Sequence, residues 1–144
     1  VQGHLGLTPQ TSVQLGGFKV QGKSLEAARK LLEDAKGAEE AGAFSIVLEC
    51  VPEELGRIVS KAVRIPVIGI GAGRYCDGQV LVYHDMLGLF DKFVPKFVKR
   101  YRDVGTEIAE ALGEFREEVK GGRFPSVEHA FGGLTREEAE SLVR

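Results

Sequence analysis

Four short apolar segments, separated by longer polar or amphipathic stretches, set the strongest limit on how this chain can fold. They cover residues 1–7, 44–48, 65–70 and 79–83. Each segment is a nearly continuous apolar run rather than an apolar–polar alternation, which is typical of strands in a parallel sheet covered on at least one face. We therefore expect a parallel sheet whose strands are connected by helices.

The stretches between these segments have the three- and four-residue apolar spacing of helices. The first predicted helix covers residues 24–42, where Ser24 is suited to cap the N-terminus and Gly42 to end the helix in a left-handed turn. Pro52 suits the first position of a second helix, because its missing N–H is not needed there. Strand, helix and strand therefore alternate through the first half of the chain.

Two more helices are predicted in the second half. The apolar spacing favours a long helix that begins at Pro95 and ends at Gly121, and a short helix that begins with a Thr135–Glu138 capping box. Basic residues would lie on the exposed side of the long helix, as a solvated face rather than a nucleic-acid-binding patch. They are Lys92, Lys96, Lys99, Arg100 and Arg102.

The spacing of the strands, roughly 20 to 40 residues, suits consecutive β/α units. Four units make half of a (β/α)8 barrel, which needs eight strands. We predict that residues 1–122 form such a half-barrel and that residues 123–144 form a C-terminal tail with a short helix. A four-stranded open sheet is the simpler alternative.

Composition limits the partners and the compartment. The chain has 144 residues, 43% of them hydrophobic, and a net charge of −2, which is typical of one globular domain with no general attraction for nucleic acid or anionic membranes. No apolar run approaches the roughly 18 residues of a membrane-spanning helix. Cys50 and Cys76 are too few for a disulfide framework. We expect a cytoplasmic protein that acts on a small molecule.

Titratable side chains follow several of the predicted strands, at the positions where α/β folds place reactive groups. Glu49 directly follows a buried run and should be partly desolvated, as a general base requires, although a glutamate paired with a lysine has about equal weight. His4 suits contact with a substrate oxygen or a metal, but a lone histidine is more often structural. His84 and Asp85 carry less weight, because Asp85 also suits the start of a turn.

A glycine-rich segment, Gly69–Gly73, follows the third apolar run. Such loops offer backbone N–H groups to anions, but this one lacks the spacing of a dinucleotide-binding loop. A tight turn with close backbone packing is an equal alternative.

Several motifs, in this order and spacing, resemble ketopantoate hydroxymethyltransferase. Together they make the resemblance highly specific, and it covers nearly the whole chain up to about Phe131. The motifs are Gly3–Gln10, Gly16–Gly22, Val47–Pro52, Ile65–Gly73, Asp77–Val82 and His84–Asp85.

This resemblance implies the C-terminal half of a (β/α)8 barrel of the phosphoenolpyruvate-mutase type, in a homo-oligomer that is decameric in many members. It implies transfer of a hydroxymethyl group from 5,10-methylenetetrahydrofolate to 3-methyl-2-oxobutanoate, which gives 2-dehydropantoate for pantothenate synthesis. Carried over by motif, Glu49 is the base that takes the C3 proton and His4 contacts the substrate. The enolate would be stabilised by Mg²⁺, whose aspartate ligands precede the first matched motif in the family, so we expect no metal ligand in this chain.

Two other interpretations remain open. The chain could act as a non-catalytic half-barrel that assembles with a partner chain. A carbon–carbon lyase of the same superfamily, which also forms an enolate, is a further alternative, although the Gly3–Gln10 motif argues against it.

Overall fold

The structure, a computed structural model, describes residues 1–11 and 19–143, so residues 16–18 of the second matched motif lie outside it. The strands are β1 (Gln2–Gly6), β2 (Ser45–Glu49), β3 (Val67–Ile70) and β4 (Gly78–Gln79). The α-helices are α1 (Leu25–Glu40), α2 (Glu53–Ala62), α3 (Tyr83–Met86), α4 (Val104–Lys120) and α5 (Arg136–Ser141). Two short 3₁₀ turns cover Pro9–Thr11 and Val127–His129.

The four strands form one parallel sheet in the order β1-β2-β3-β4, which confirms the predicted α/β class. Each strand pairs with the next one along the chain. Connections between parallel strands are nearly always right-handed, so a sheet that never reverses its strand order carries its connecting helices on one face. This arrangement differs from a doubly wound sheet, which has helices on both faces.

The hydrophobic core lies between the sheet and helices α1 and α2. Ile46, Leu48 and Val67 are completely buried and point from one face of the sheet towards these helices. Leu31 and Ala35 of α1 and Leu55, Val59 and Val63 of α2 complete most of this cluster. The apolar spacing therefore predicted both helices correctly, because the apolar face of each helix is buried within this chain.

The other face of the sheet is less covered. Strand side chains alternate between faces, so His4, Val47 and Glu49 share this second face with Ile68 and Ile70, and all five are only partly buried.

The predicted helix ends are confirmed at α1 and α5. The Ser24 side chain accepts a hydrogen bond from the N–H of Ala27, and Gly42 adopts a left-handed φ of 89°. At α5, Thr135 and Glu138 form the expected reciprocal capping box. Pro52, however, immediately precedes α2 instead of opening it.

The fourth strand is shorter than predicted. The apolar run 79–83 suggested a strand through Tyr83, but β4 ends at Gln79 and Tyr83 begins α3. The N–H of Val80 still bonds to the Gly69 carbonyl, at 3.0 Å, and the Val82 carbonyl then accepts from two helical N–H groups. Val80 and Val82 are about half exposed, so no burial within the described residues keeps the chain in the sheet.

The long helix begins later than predicted. Pro95 does not open it, because α4 begins at Val104. The N–H of Tyr101 bonds to the Met86 carbonyl at 2.8 Å, and that of Val104 bonds to Leu87 at 2.9 Å, so the preceding segment is tied to α3 instead of continuing a helix. The five basic residues therefore lie in an irregular segment and not along a helix.

Residues after 122 contact α4 through an aromatic cluster. Phe124 packs edge-on against Phe115 at 5.4 Å between ring centroids, and His129 lies 5.2 Å from Phe124. The division of the chain at residue 122 stays a prediction. Among the described residues, no helix combines the length and apolar character needed to cross a membrane.

Candidate functional site

His4 and Glu49 come together at the C-terminal end of the sheet. Glu49 is the last residue of β2 and pairs in register with Gly6, the last residue of β1. His4 lies two residues before Gly6, so its side chain emerges on the same face as that of Glu49.

The two side chains are directly hydrogen-bonded, with Nε2 of His4 3.0 Å from Oε2 of Glu49. An ionised carboxylate can only accept, so the imidazole donates from Nε2 in this arrangement. The Glu49 side chain is 17% exposed and that of His4 is 33% exposed. The two residues are therefore neighbours, and the prediction that Glu49 is partly desolvated is confirmed.

The backbone around Glu49 is fixed by neighbouring strands and loops. The Glu49 carbonyl accepts from the N–H of Leu7 at 2.9 Å, and the N–H of Cys50 donates to Ile70 at 2.9 Å. The Cys50 carbonyl accepts in turn from the N–H of Gln21 at 2.8 Å. Backbone hydrogen bonds of Glu49 and Cys50 therefore fix the end of β2, from which the Glu49 side chain extends.

Cys50 has a left-handed backbone conformation, with φ of 49°. This conformation is uncommon for a residue with a side chain and occurs often at functional sites. Sequence reasoning missed it, because a cysteine gives no signal for positive φ. Burial raises the pKa of the Cys50 thiol, and the neighbouring charge of Glu49 raises this pKa further.

The glycine-rich segment after β3 is a tightly packed turn. Gly71 and Gly73 have left-handed φ values of 67° and 82°. A Cβ on Gly71 would lie 2.7 Å from the Phe97 ring, and one on Gly73 would overlap the Glu53 side chain. These contacts support the turn interpretation, while anion binding by this segment stays a prediction.

His84 and Asp85 lie in α3 and are not joined to the His4–Glu49 pair. His84 is exposed and stacks on Tyr83, with ring centroids 4.0 Å apart. Within the described residues, no side-chain hydrogen bond or ion pair links His84 or Asp85 to His4 or Glu49. Their role stays open.

An open cavity of about 320 Å³ adjoins His4 but not Glu49. His4 and Glu49 therefore do not line this cavity together. Its lining comes from the end of β1, the segment before α1 and one side of α1, and includes Thr8, Gln21, Lys30 and Asp34.

The described residues do not form a site for Mg²⁺. Nowhere in residues 1–11 and 19–143 do three His, Cys, Asp or Glu side chains gather as a metal-binding cluster. A hard divalent cation prefers several oxygen ligands, and Glu49 supplies the only carboxylate of the His4–Glu49 pair.

A model of the ketopantoate hydroxymethyltransferase family matches residues 1–127. The chain belongs to this family. The match includes both His4 and Glu49, and it confirms the resemblance inferred from the motifs.

Curated relatives in this family are similar over most of the chain. A protein of Syntrophobacter fumaroxidans named 3-methyl-2-oxobutanoate hydroxymethyltransferase is 60% identical over 142 residues, which cover 99% of this chain and 50% of the relative. Relatives of the same name from Heliobacterium modesticaldum and Clostridium botulinum are 61% and 58% identical over 92% and 91% of this chain, and 48% of each relative is covered. The chain spans about half the length of the curated relatives it matches.

Proposed function

We propose that this chain is the C-terminal half of a 3-methyl-2-oxobutanoate hydroxymethyltransferase and supplies the base of the reaction. The main support is the 3.0 Å hydrogen bond between His4 and Glu49 at the C-terminal end of a parallel sheet. Active sites of β/α barrels lie at this end of the strands. The reaction is taken from the name of the relatives, 3-methyl-2-oxobutanoate hydroxymethyltransferase.

The half-barrel architecture is part of this proposal. The strand order β1-β2-β3-β4, with α1 and α2 packed on one face, is consistent with the winding of consecutive barrel units. The opposite, partly covered face would then line the barrel interior. The coverage of about half of each relative agrees with four of eight units.

In the proposed reaction, Glu49 removes the C3 proton of 3-methyl-2-oxobutanoate. The electrons of the C–H bond form the enolate, and water releases the one-carbon unit of 5,10-methylenetetrahydrofolate as formaldehyde, leaving tetrahydrofolate. C3 of the enolate then bonds to the formaldehyde carbon, whose oxygen takes up a proton to give 2-dehydropantoate. A carboxylate held at the strand end suits this role, because a general base must lie within reach of the proton that it removes. The hydrogen bonds around Glu49 and Cys50 keep the carboxylate in place.

His4 is proposed to contact the substrate. Its Nε2–H donates to Glu49 in this structure and is the side-chain N–H that lies beside the base. When the keto acid binds, donation from this group to a substrate oxygen would orient C3 towards Glu49. Donors aimed at an oxygen that gains charge stabilise an enolate more than the ground state.

The family resemblance implies a Mg²⁺ ion. We propose this ion for the whole enzyme and assign no metal ligand to this chain. The described residues hold no metal cluster. The steps assigned to this chain therefore involve Glu49 and His4 alone. The cytoplasmic location and homo-oligomeric state are likewise proposed from the family resemblance.

A non-catalytic half-barrel is the second proposal, and the exposed apolar residues of α4 favour it. Ile108, Leu112, Phe115 and Val119 are each about half exposed or more. In that case the chain would assemble with a partner and bind neither metal nor keto acid by itself. Exchange of the C3 proton in the full-length protein separates this role from catalysis, because a non-catalytic half-barrel would leave the rate unchanged by Glu49→Gln.

Product analysis tests the enzymatic proposal. The full-length protein, given 3-methyl-2-oxobutanoate and 5,10-methylenetetrahydrofolate, should form 2-dehydropantoate. Cleavage of a carbon–carbon bond without transfer of the one-carbon unit would instead support the lyase alternative.

A further inference from the structure

The strand that carries the proposed base ends abruptly. Glu49 is the last residue of β2, and its carbonyl faces β1, where it accepts from the N–H of Leu7 at 2.9 Å. The N–H of Cys50 faces the opposite neighbour, β3, and donates to the Ile70 carbonyl at 2.9 Å. Up to this N–H, the backbone follows the alternating hydrogen bonds of a regular parallel strand.

The next peptide, between Cys50 and Val51, is turned the other way. In a continuing strand, the Cys50 carbonyl would face β3 and the Val51 N–H would face β1. Instead, the Cys50 carbonyl accepts at 2.8 Å from the N–H of Gln21, which lies in the segment before α1. The Val51 N–H donates at 3.2 Å to Gly71, which follows β3. Cys50, with its φ of 49°, therefore lies at the point where the chain leaves the sheet, directly after Glu49.

A second left-handed residue lies beside Glu49 on the neighbouring strand. Gly6 pairs in register with Glu49 and has a φ of 89°. A Cβ on Gly6 would overlap the Glu49 carbonyl oxygen and would lie 3.0 Å from a methyl carbon of Val51. The backbone of Glu49 is thus enclosed by two left-handed residues, one next to it in the chain and one opposite it on β1.

The surroundings of Cys50, rather than its thiol, account for the left-handed backbone. Cysteine has no intrinsic preference for positive φ, so such a conformation persists only where neighbouring structure imposes it. Here the hydrogen bonds to Ile70 and from Gln21 fix the backbone on both sides, and the next residue, Val51, is 4% exposed in the core. Burial raises the pKa of the thiol, and the charge of Glu49 raises it further, which keeps the thiol protonated and weakly nucleophilic at neutral pH.

We propose that Cys50 and Gly6 are positioning residues for Glu49, and that they act through their left-handed backbones rather than through side-chain chemistry. This inference rests on the proposed function, in which Glu49 is the base. A base acts only within hydrogen-bond reach of the proton that it removes, and a misplacement of about 1 Å can slow a reaction by about 10²-fold. A change that forces either residue out of its conformation should therefore slow proton removal more than it weakens substrate binding.

Substitutions of Cys50 in the full-length protein separate its backbone from its thiol. The measurements are the rate of C3 proton exchange at saturating 3-methyl-2-oxobutanoate and the dissociation constant of this keto acid. Cys50→Val, whose β-branched side chain disfavours positive φ, should lower the exchange rate by about 10²-fold and change the dissociation constant by less than about threefold. Cys50→Ala and Cys50→Gly remove the thiol but tolerate the same φ at least as well, so exchange should stay within about threefold of the wild-type rate.

Two further variants keep the test decisive. Gly6→Ala displaces the Glu49 carbonyl from the neighbouring strand and should also slow exchange more than it weakens binding, which provides a result even if Cys50→Val does not fold. Gly42→Val is the matched control, because Gly42 also has a φ of 89°, has no atom within 4 Å of an added Cβ, and precedes β2 at the end of the strand opposite Glu49. This control should lower the free energy of unfolding without slowing exchange.

Exchange at the wild-type rate in folded Cys50→Val or Gly6→Ala would overturn the inference, and so would loss of exchange in Cys50→Ala, which would implicate the thiol. Equal slowing by Gly42→Val would also overturn it, because the effect would then follow from lost stability alone.

Failure of the proposed function gives a different result. If Glu49→Gln exchanges the C3 proton at the wild-type rate, Glu49 is not the base and both proposals fail. If Glu49→Gln abolishes exchange while Cys50→Val and Gly6→Ala retain it, only the positioning role is wrong.

Discussion

At the scale of single residues, His4 has two candidate roles, direct contact with the substrate and positioning of Glu49. Affinity for the substrate distinguishes them. In the full-length protein, His4→Phe removes the imidazole donor without supplying another and should weaken binding of the keto acid by about 10- to 100-fold, as expected for a hydrogen bond to a charged group. The measurement is the dissociation constant for 3-methyl-2-oxobutanoate. Unchanged affinity would show that His4 only positions Glu49.

Cys50 offers a second residue-scale prediction, because its thiol pKa is raised by burial and by Glu49. The folded state holds this proton more tightly than the unfolded chain, so the resulting stability is present at neutral pH and lost as the pH rises through the raised pKa. We expect iodoacetamide to alkylate Cys50 more slowly at pH 8 in the folded protein than after denaturation. A Cys76→Ser background isolates this rate, and equal rates would contradict the prediction.

The position of Glu49 and His4 at one edge of the sheet could be predicted because each belongs to an apolar run that becomes a strand, and the ends of parallel strands meet at one edge. Their roles in the reaction stay a proposal. The left-handed conformation of Cys50 was not predictable. It depends on hydrogen bonds from Gln21 and to Ile70, which are distant along the chain and leave no local pattern.

At the scale of secondary-structure elements, two helical glycines should respond oppositely to the same substitution. A Cβ on Gly56 in α2 would overlap the Ala72 carbonyl oxygen, whereas one on Gly37 in α1 has no atom within 4 Å. In the full-length protein, we expect Gly56→Ala to lower the free energy of unfolding by about 2–3 kcal/mol.

Gly37→Ala is the matched control and should raise the free energy of unfolding by roughly 0.5–1 kcal/mol, because alanine restricts the unfolded chain. Denaturant unfolding measures both changes. A neutral Gly56→Ala would mean that α2 does not pack against the turn after β3 as closely as described.

The elements that were predicted correctly are those whose apolar residues are buried within this chain. Strands β1 to β3 and helices α1 and α2 share one core, so pattern and structure agree. The end of β4 and the start of α4 were predicted wrongly because residues such as Val82, Phe97 and Tyr101 remain exposed. At the end of β4 and the start of α4, the spacing of apolar residues therefore did not predict the secondary structure, because these residues are not buried among the described residues.

At the scale of the whole molecule, the exposed apolar surface predicts self-association of the isolated chain. Among the described residues, β1 and β4 each lack a strand partner on their outer edge, and α4 exposes Ile108, Leu112 and Phe115. Sedimentation of the 144-residue chain should show oligomers or aggregates at micromolar concentration. A monomer that remains stable at high concentration would contradict this expectation and the half-barrel proposal with it.

The most direct test of the central proposal is exchange of the C3 proton of 3-methyl-2-oxobutanoate with solvent deuterium, followed by proton magnetic resonance in the full-length protein. Glu49→Gln keeps the shape of the side chain and can still hydrogen-bond to His4, but the amide cannot accept the proton at neutral pH. Exchange should fall by about 10²- to 10⁴-fold while keto-acid affinity stays nearly unchanged. Exchange by the Glu49→Gln variant at the wild-type rate would contradict the assignment of Glu49 as the base.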